Sequence, residues 1–182
     1  LEECILKSVR SLEIGVCHLY LEKFDSYTNE ELLNYLSEFR SDGIFALSEA
    51  IRRHIDLNKL HEVTMITMLF LESIARIIAM EEELKDHVND LNVLRKAKKM
   101  GFGDKYISKL WNLKEIEVYE KRIKNNIVPI FKMIDTLHSG KYIAYHYSSY
   151  TGENESRLTN KKKIVVLGAG PIRIGQGVEF DY

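Results

Sequence analysis

The strongest constraint on the fold is a long apolar stripe between Met65 and Leu84. Seven apolar side chains recur there at three- and four-residue spacing: Ile66, Leu69, Phe70, Ile74, Ile77, Ile78 and Leu84. This spacing places them on one wide face of a single α-helix. A face of that width needs burial against several neighbouring elements. The segment therefore predicts a central helix inside a helical bundle.

Helix-breaking residues are scarce up to about residue 126, and this favours helix over most of the chain. The only prolines are Pro129 and Pro171. Helix-start patterns occur at Thr28 with Glu31, Ser41 or Asp42, Asp90, Asp104, and Asn112 with Glu115. Gly15 and Gly101 are predicted to end helices. These signals divide the stretch into about six or seven helices.

The pattern changes after residue 126. Residues 127–136 contain a proline and alternate poorly between apolar and polar side chains, and residues 142–150 are rich in tyrosine, which favours extended structure. Residues 151–163 are polar and predict a linker, and residues 164–167 predict a short buried strand. We therefore expect a mainly α fold. A compact multi-helix domain would end in an extended segment and the first strand of an α/β domain.

Composition excludes several classes of partner. The chain is 45% hydrophobic and 29% charged with a formal net charge of -1, which gives no reason to expect a nucleic acid or an anionic membrane. No apolar run reaches the length of a membrane span. Cys4 and Cys17 are isolated, so a zinc site is not expected, and free thiols favour the cytoplasm.

The helical part shows no pattern typical of a catalytic or metal site. Four scattered histidines, His54, His61, His87 and His138, are interpreted as surface or capping residues. Residues 81–83 are consecutive glutamates on a helix, so they point in different directions and favour a solvated face over a metal site. We expect no catalytic residue, no metal and no cofactor in this part.

A glycine-rich loop follows the predicted strand. Such a loop lets backbone N–H groups approach an anion closely. Arg173 occupies the position where a full dinucleotide-binding fingerprint needs glycine or alanine, so that fingerprint is incomplete. The loop residues singled out as candidates are Gly168, Gly170, Pro171, Arg173, Gly175 and Gln176.

The full string GAGPIRIGQGVEFDY closely resembles the GxGPxRIGQGxEFDY motif of the carbamoyl phosphate synthetase large subunit. Four upstream stretches resemble segments that precede this motif in the family. They are KSVRSLEIG, RSDGIFALSEAIRR, KKMGFGDKYISKL, and FKMIDT followed by YHYSSY. The resemblance covers essentially the whole chain, and both ends then read as cuts within a longer protein.

Several positions depart from the family pattern. Ile172 stands where the family usually has asparagine, Thr67 stands for an aspartate that completes a capping box, and Leu69 stands for a tryptophan. Residues 135–140 are also shortened and altered. These departures indicate a divergent member.

The resemblance implies a parent enzyme with two homologous halves, each with an ATP-grasp unit that uses ATP and Mg²⁺ or Mn²⁺. The parent would make carbamoyl phosphate from bicarbonate and glutamine-derived ammonia. The present chain would be the non-catalytic oligomerisation domain between the halves, inactive alone. Its implied partners are further copies in a dimer or tetramer, the flanking ATP-grasp domains and a glutaminase small subunit.

The resemblance also implies a division of the chain and a role for the loop. Residues 1–15 would be the end of the first ATP-grasp unit or an entry helix, and residues 16–150 the oligomerisation domain. Residues 151–163 would be a linker, and residues 164–182 the start of the second pre-ATP-grasp domain. In the family this loop lines part of a tunnel for carbamate. Gly177 and Glu179 are the implied tunnel-lining positions, glycine allowing a narrow bore and glutamate hydrogen-bonding the intermediate.

Two other interpretations stay open at the sequence level. The glycine loop could open the dinucleotide-binding fold of an oxidoreductase, although Arg173 disfavours this. The string AKKMGFGDKYISKLW predicts two short helices around a glycine turn, as in a helix-turn-helix DNA-binding module. The near-neutral net charge disfavours this, and the nearby Lys96, Lys98 and Lys99 are offset by acidic residues elsewhere in the chain.

Overall fold

The computed structural model describes residues 1–12, 14–135, 138, 140–143 and 145–165. Eight α-helices lie within these residues: α1 (Glu2–Ser11), α2 (Asn29–Ser37), α3 (Gly43–Arg52), α4 (Leu57–Thr64), α5 (Met68–Asp86), α6 (Leu91–Lys99), α7 (Asp104–Trp111) and α8 (Glu115–Lys124). A short 3₁₀ helix spans Glu22–Phe24, and two strands follow, β1 (Ile130–Met133) and β2 (His146–Ser149). The predicted mainly α fold is confirmed.

Helix α5 is the centre of the bundle and contacts α1, α3, α4, α6 and α7. Its buried face carries most of the predicted stripe, including Ile74, Ile77 and Leu84. The predicted stripe is wrong at Leu69 and Phe70, whose side chains are exposed. These two positions lie in the first turn of α5 and form part of a surface described below.

The start of α5 is three residues later than the stripe suggests. Met65 has a φ of 56° and ends α4 in the left-handed conformation, which breaks the helix before α5 begins. Thr67 is the N-cap of α5, and its side chain makes no capping hydrogen bond. Helix α4 itself was not predicted, although Asp56 caps it through the amides of Asn58 and Lys59.

Helix-start predictions hold where the side chain reaches the backbone. At α2, Thr28 Oγ1 accepts from the Glu31 amide at 3.2 Å, and Glu31 accepts from the Thr28 amide at 2.7 Å. Asp90 caps α6 as predicted. Asp42 precedes α3 without capping it, because its carboxylate accepts from Tyr35 and Lys23 instead.

The capping pattern predicted for Asn112 with Glu115 is wrong. Asn112 adopts the left-handed conformation and ends α7. Helix α8 instead begins after Lys114, whose backbone amide donates to Glu117 at 2.7 Å. Asparagine tolerates the left-handed region better than most residues, so it can end a helix as well as begin one.

Glycine is required in the turn between α6 and α7. Gly101 has a φ of +92°, and a Cβ added there would lie 2.8 Å from the Cα of Glu3. Arg10 Nη1 donates to the Gly101 carbonyl at 2.9 Å. The turn thus brings α1 against the α6–α7 pair. Gly15, predicted to end α1, lies beyond the last helical residue, Ser11.

The two strands form an antiparallel pair in which Ile130 lies opposite Ser149 and Met133 opposite His146. Ser149 Oγ donates to Glu3 at 3.0 Å, which holds the pair against α1. The extended structure predicted for residues 142–150 is therefore present in β2. Of the strand predicted at 164–167, residues 164 and 165 are exposed and unpaired, and the other two lie outside the described residues.

Candidate self-association surface and buried charge network

An apolar groove opens between α1, α2, α3 and the start of α5. Its volume is about 620 Å³. The apolar side chains along it include Ile5, Val9, Leu12, Leu36, Ile44, Leu47, Ile66 and Ile74. Because side chains from four helices converge here without filling the space, the groove is a recess into which an apolar group from another molecule can pack.

Large apolar side chains project around this groove. Phe39, in the loop between α2 and α3, lines the groove and is fully exposed. Phe70 also lines it, and the exposed Met65 and Leu69 lie close by in sequence. Burying one such side chain stabilises a contact by about 1.5–3 kcal/mol. Contiguous exposed apolar surface of this kind is typical of protein–protein contact sites.

A buried charge network connects three parts of the bundle. Glu81 of α5 accepts from His18 Nε2 at 2.8 Å and from two nitrogens of Arg52 at 2.8 and 2.7 Å. Arg52 of α3 also donates to the Leu19 carbonyl at 2.6 Å. The side chains of His18 and Glu81 are each 1% exposed. The prediction that residues 81–83 form a solvated face is therefore wrong for Glu81.

Electrostatics within this network favour an ionised Glu81 and a neutral His18. Burial alone would raise the pKa of Glu81, but hydrogen bonds from Arg52 and His18 bring it below its usual value. Burial lowers the pKa of His18, and Glu81 offsets only part of that effect. The network is therefore an Arg52–Glu81 ion pair with a neutral imidazole donating to it.

A second buried network lies at the α6–α7 turn. Lys98 donates to the Phe102 carbonyl and to Asp104, each at 2.7 Å, and Arg122 donates to Asp104 at 2.7 Å. Lys96 pairs with Glu83 on the neighbouring helix. The two helices predicted around the glycine turn are present, but Lys98 is engaged inside the protein and does not face a nucleic acid backbone.

The histidines differ from one another more than the sequence suggests. His61 Nδ1 lies 2.7 Å from the Ile66 carbonyl, and His87 Nδ1 lies 3.1 Å from the Glu83 carbonyl, which agrees with the predicted capping role. His18 was not singled out. The available signal is its neighbour Leu19, since an apolar run around a histidine favours burial, but its partner lies 63 residues away.

The residues predicted to line a tunnel or form the glycine loop lie outside the described residues. These are Gly168, Gly170, Pro171, Arg173, Gly175, Gln176, Gly177 and Glu179, and Ile172 lies there with them. Within the described part of the chain, no group of three or more His, Cys, Asp or Glu side chains could hold a metal ion. No helix in that part is long and apolar enough to cross a membrane.

The fold and the groove define a helical protein-interaction domain. Residues 1–126 match the family described as carbamoyl-phosphate synthetase large chain, oligomerisation domain. Residues 160–182 match the carbamoyl phosphate synthase preATP-grasp domain. Because the first match covers more than half of the chain, the chain belongs to the oligomerisation-domain family of carbamoyl-phosphate synthetase large chains. Membership of this family implies self-association.

Proposed function

We propose that this chain joins copies of a carbamoyl phosphate synthetase large chain through the apolar groove. The observation that carries the proposal is a projecting Phe39 beside a recess of about 620 Å³ on the same surface. A surface with both a knob and a recess can pair with its own copy around a two-fold axis. The partner is a second copy, in a dimer or tetramer, as the family description supports.

The parent protein, in this proposal, is an ATP-dependent ligase that makes carbamoyl phosphate from bicarbonate and glutamine-derived ammonia. It uses ATP with Mg²⁺ or Mn²⁺ in ATP-grasp units and receives ammonia from a glutaminase small subunit in the cytoplasm. The present chain carries no cofactor and does not catalyse. It spaces the flanking ATP-grasp domains, and the two family matches in this order support that arrangement.

We also propose the division of the chain implied by the resemblance. Residues 1–15 are the end of the first ATP-grasp unit or an entry helix, and residues 16–150 form the oligomerisation domain. Residues 151–163 form a linker, and residues 164–182 begin the second pre-ATP-grasp domain. The match of residues 160–182 to a preATP-grasp domain supports the last part. Gly177 and Glu179 are then positions in the wall of the carbamate tunnel.

Sedimentation velocity tests the proposed interface directly. The double variant Phe39→Glu with Leu69→Glu places charge on the surface that the second copy must bury, so it should weaken association more than about tenfold. Both side chains are exposed, so the substitution should leave the fold intact. Circular dichroism checks this.

The matched control is Ile116→Glu, which changes an exposed apolar residue on α8 away from the groove. It should associate as the unmodified chain does. A chain that stays monomeric up to about 200 µM would contradict the proposal, since stable homodimers form well below that concentration. Equal weakening by the control would place the interface elsewhere.

A further inference from the structure

A second cavity, lined in part by the buried charge network, contains polar groups that the proposed self-association does not use. Its volume is about 480 Å³, and it lies between residues 15–22, α3, α5 and α7. The Arg52–Glu81 ion pair and His18 line it, together with Tyr106. The pair and the imidazole are held by the hydrogen bonds described above, so this part of the cavity is already ordered.

Two lysines from different helices give the cavity a positive side. Lys85 of α5 and Lys109 of α7 both line it, and neither ammonium has a hydrogen-bond or ion-pair partner among the described residues. Glu22 also lines the cavity, and Arg52 and Glu81 neutralise each other. Two cations therefore stand against one carboxylate, which favours an anionic occupant.

His18 adds a requirement for a hydrogen-bond donor. Its Nε2 donates to Glu81, so in the neutral ring Nδ1 carries a lone pair. That nitrogen is buried and has no hydrogen-bond partner among the described residues. The ring stacks on Tyr106 with centroids 3.7 Å apart, which fixes its plane. Leaving a buried acceptor unpaired is unfavourable, and a ligand hydroxyl or N–H would recover part of that free energy.

We propose that this cavity binds a small organic anion that also carries a hydroxyl or N–H donor. Lys85 and Lys109 hold its carboxylate or phosphate, the donor reaches His18 Nδ1, and Leu21 and Leu110 contact its carbon skeleton. Solvent does not reach Nδ1, so a neighbouring side chain must move to make this contact. An affinity of about millimolar is therefore expected.

Isothermal titration of the chain with matched anions tests the proposal. L-malate and succinate differ by one hydroxyl, and glycerol 3-phosphate and propyl phosphate differ by two. The carboxylate and phosphate pairs show which anion the lysines prefer. In at least one pair, the hydroxylated compound should bind with a dissociation constant lower by about fivefold than its hydroxyl-free partner.

The double variant Lys85→Gln with Lys109→Gln should weaken that binding by about tenfold. The matched control is Lys99→Gln with Lys124→Gln, two exposed lysines outside the cavity, which should bind as the unmodified chain does. All four lysines are exposed, so neither double variant should alter the packing of the core, and a change in binding reports on the cavity.

A second measurement reports on His18 itself. The ¹⁵N resonance of Nδ1 should shift when the hydroxylated anion is added and stay in place with the hydroxyl-free anion. Three results would each overturn the proposal: no saturable binding of either hydroxylated anion, equal loss of binding in the control variant, or equal binding of both members of each pair.

Discussion

At the scale of single residues, the burial of Glu81 follows from its place on α5. It lies four residues after Ile77 and three after Ile78, so the helical period puts it on the same buried face. Of the three consecutive glutamates at 81–83, this period places only Glu81 in the core. The local pattern could therefore have predicted burial, but not the partners, because Arg52 and His18 lie 29 and 63 residues away in the chain.

The pH dependence of stability follows from His18. Its pKa in the folded protein lies below the ordinary value of 6.5, so the unfolded chain takes up a proton there first as the pH falls. The stability that His18 contributes is present above about pH 6.5 and is lost below it, by at most about 1.4 kcal/mol per pH unit. Urea denaturation between about pH 7 and 5 measures this slope.

The variant His18→Asn should flatten that slope, whatever its effect on stability at neutral pH. The matched control is His54→Asn. His54 is exposed and has a φ of 57°, a conformation that asparagine tolerates. The control should keep the full slope. If the free energy of unfolding changed with pH equally in the two variants, its pH dependence would arise from a group other than His18.

At the scale of elements, local signals predicted helices where one side chain caps its own backbone. The starts of α2 and α6 belong to this group, since Thr28 and Asp90 bond amides two or three residues on. The start of α8 does not belong to this group, because lysine is not a typical N-cap residue. Here the hydrogen bond runs from the Lys114 backbone amide to the Glu117 side chain. Helix α4 has an ordinary aspartate cap at Asp56 that was not singled out.

The two threonine N-caps allow a comparison of this effect. Thr28→Ala removes a side-chain bond to the Glu31 amide and should lower the free energy of unfolding by about 1 kcal/mol. Thr67→Ala removes no capping bond and should cost less than about 0.5 kcal/mol. Urea denaturation of both variants measures the difference. A larger loss for Thr67→Ala would contradict the assignment of the cap.

At the scale of the whole molecule, the sequence predicted the fold class better than the surfaces. The stripe on α5 and the scarcity of breakers follow from local pattern, and they were sufficient to predict the bundle. The groove depends on how four helices meet, and Leu69 and Phe70 are exposed although their spacing favours burial. Helical spacing identifies a face but does not show which of its ends another element covers.

The helical bundle contains all the buried hydrophobic side chains of the described residues, from Leu6 to Ile127. A chain that ends at Pro129 keeps this entire core, so it should still unfold in one cooperative transition. It loses the hydrogen bond from Ser149 to Glu3 and the packing of Tyr150 near Lys98. Its melting temperature should therefore fall by several degrees, which corresponds to about 1–2 kcal/mol.

Thermal unfolding followed by circular dichroism checks this expectation. The single variant Ser149→Ala in the full chain separates the lost hydrogen bond from the lost packing, and it should show only part of the decrease. A broad, non-cooperative transition in the shortened chain would mean that the strand pair is an integral part of the folding unit. The bundle would then depend on the strands that lie against α1, and the core between Leu6 and Ile127 would not suffice for folding.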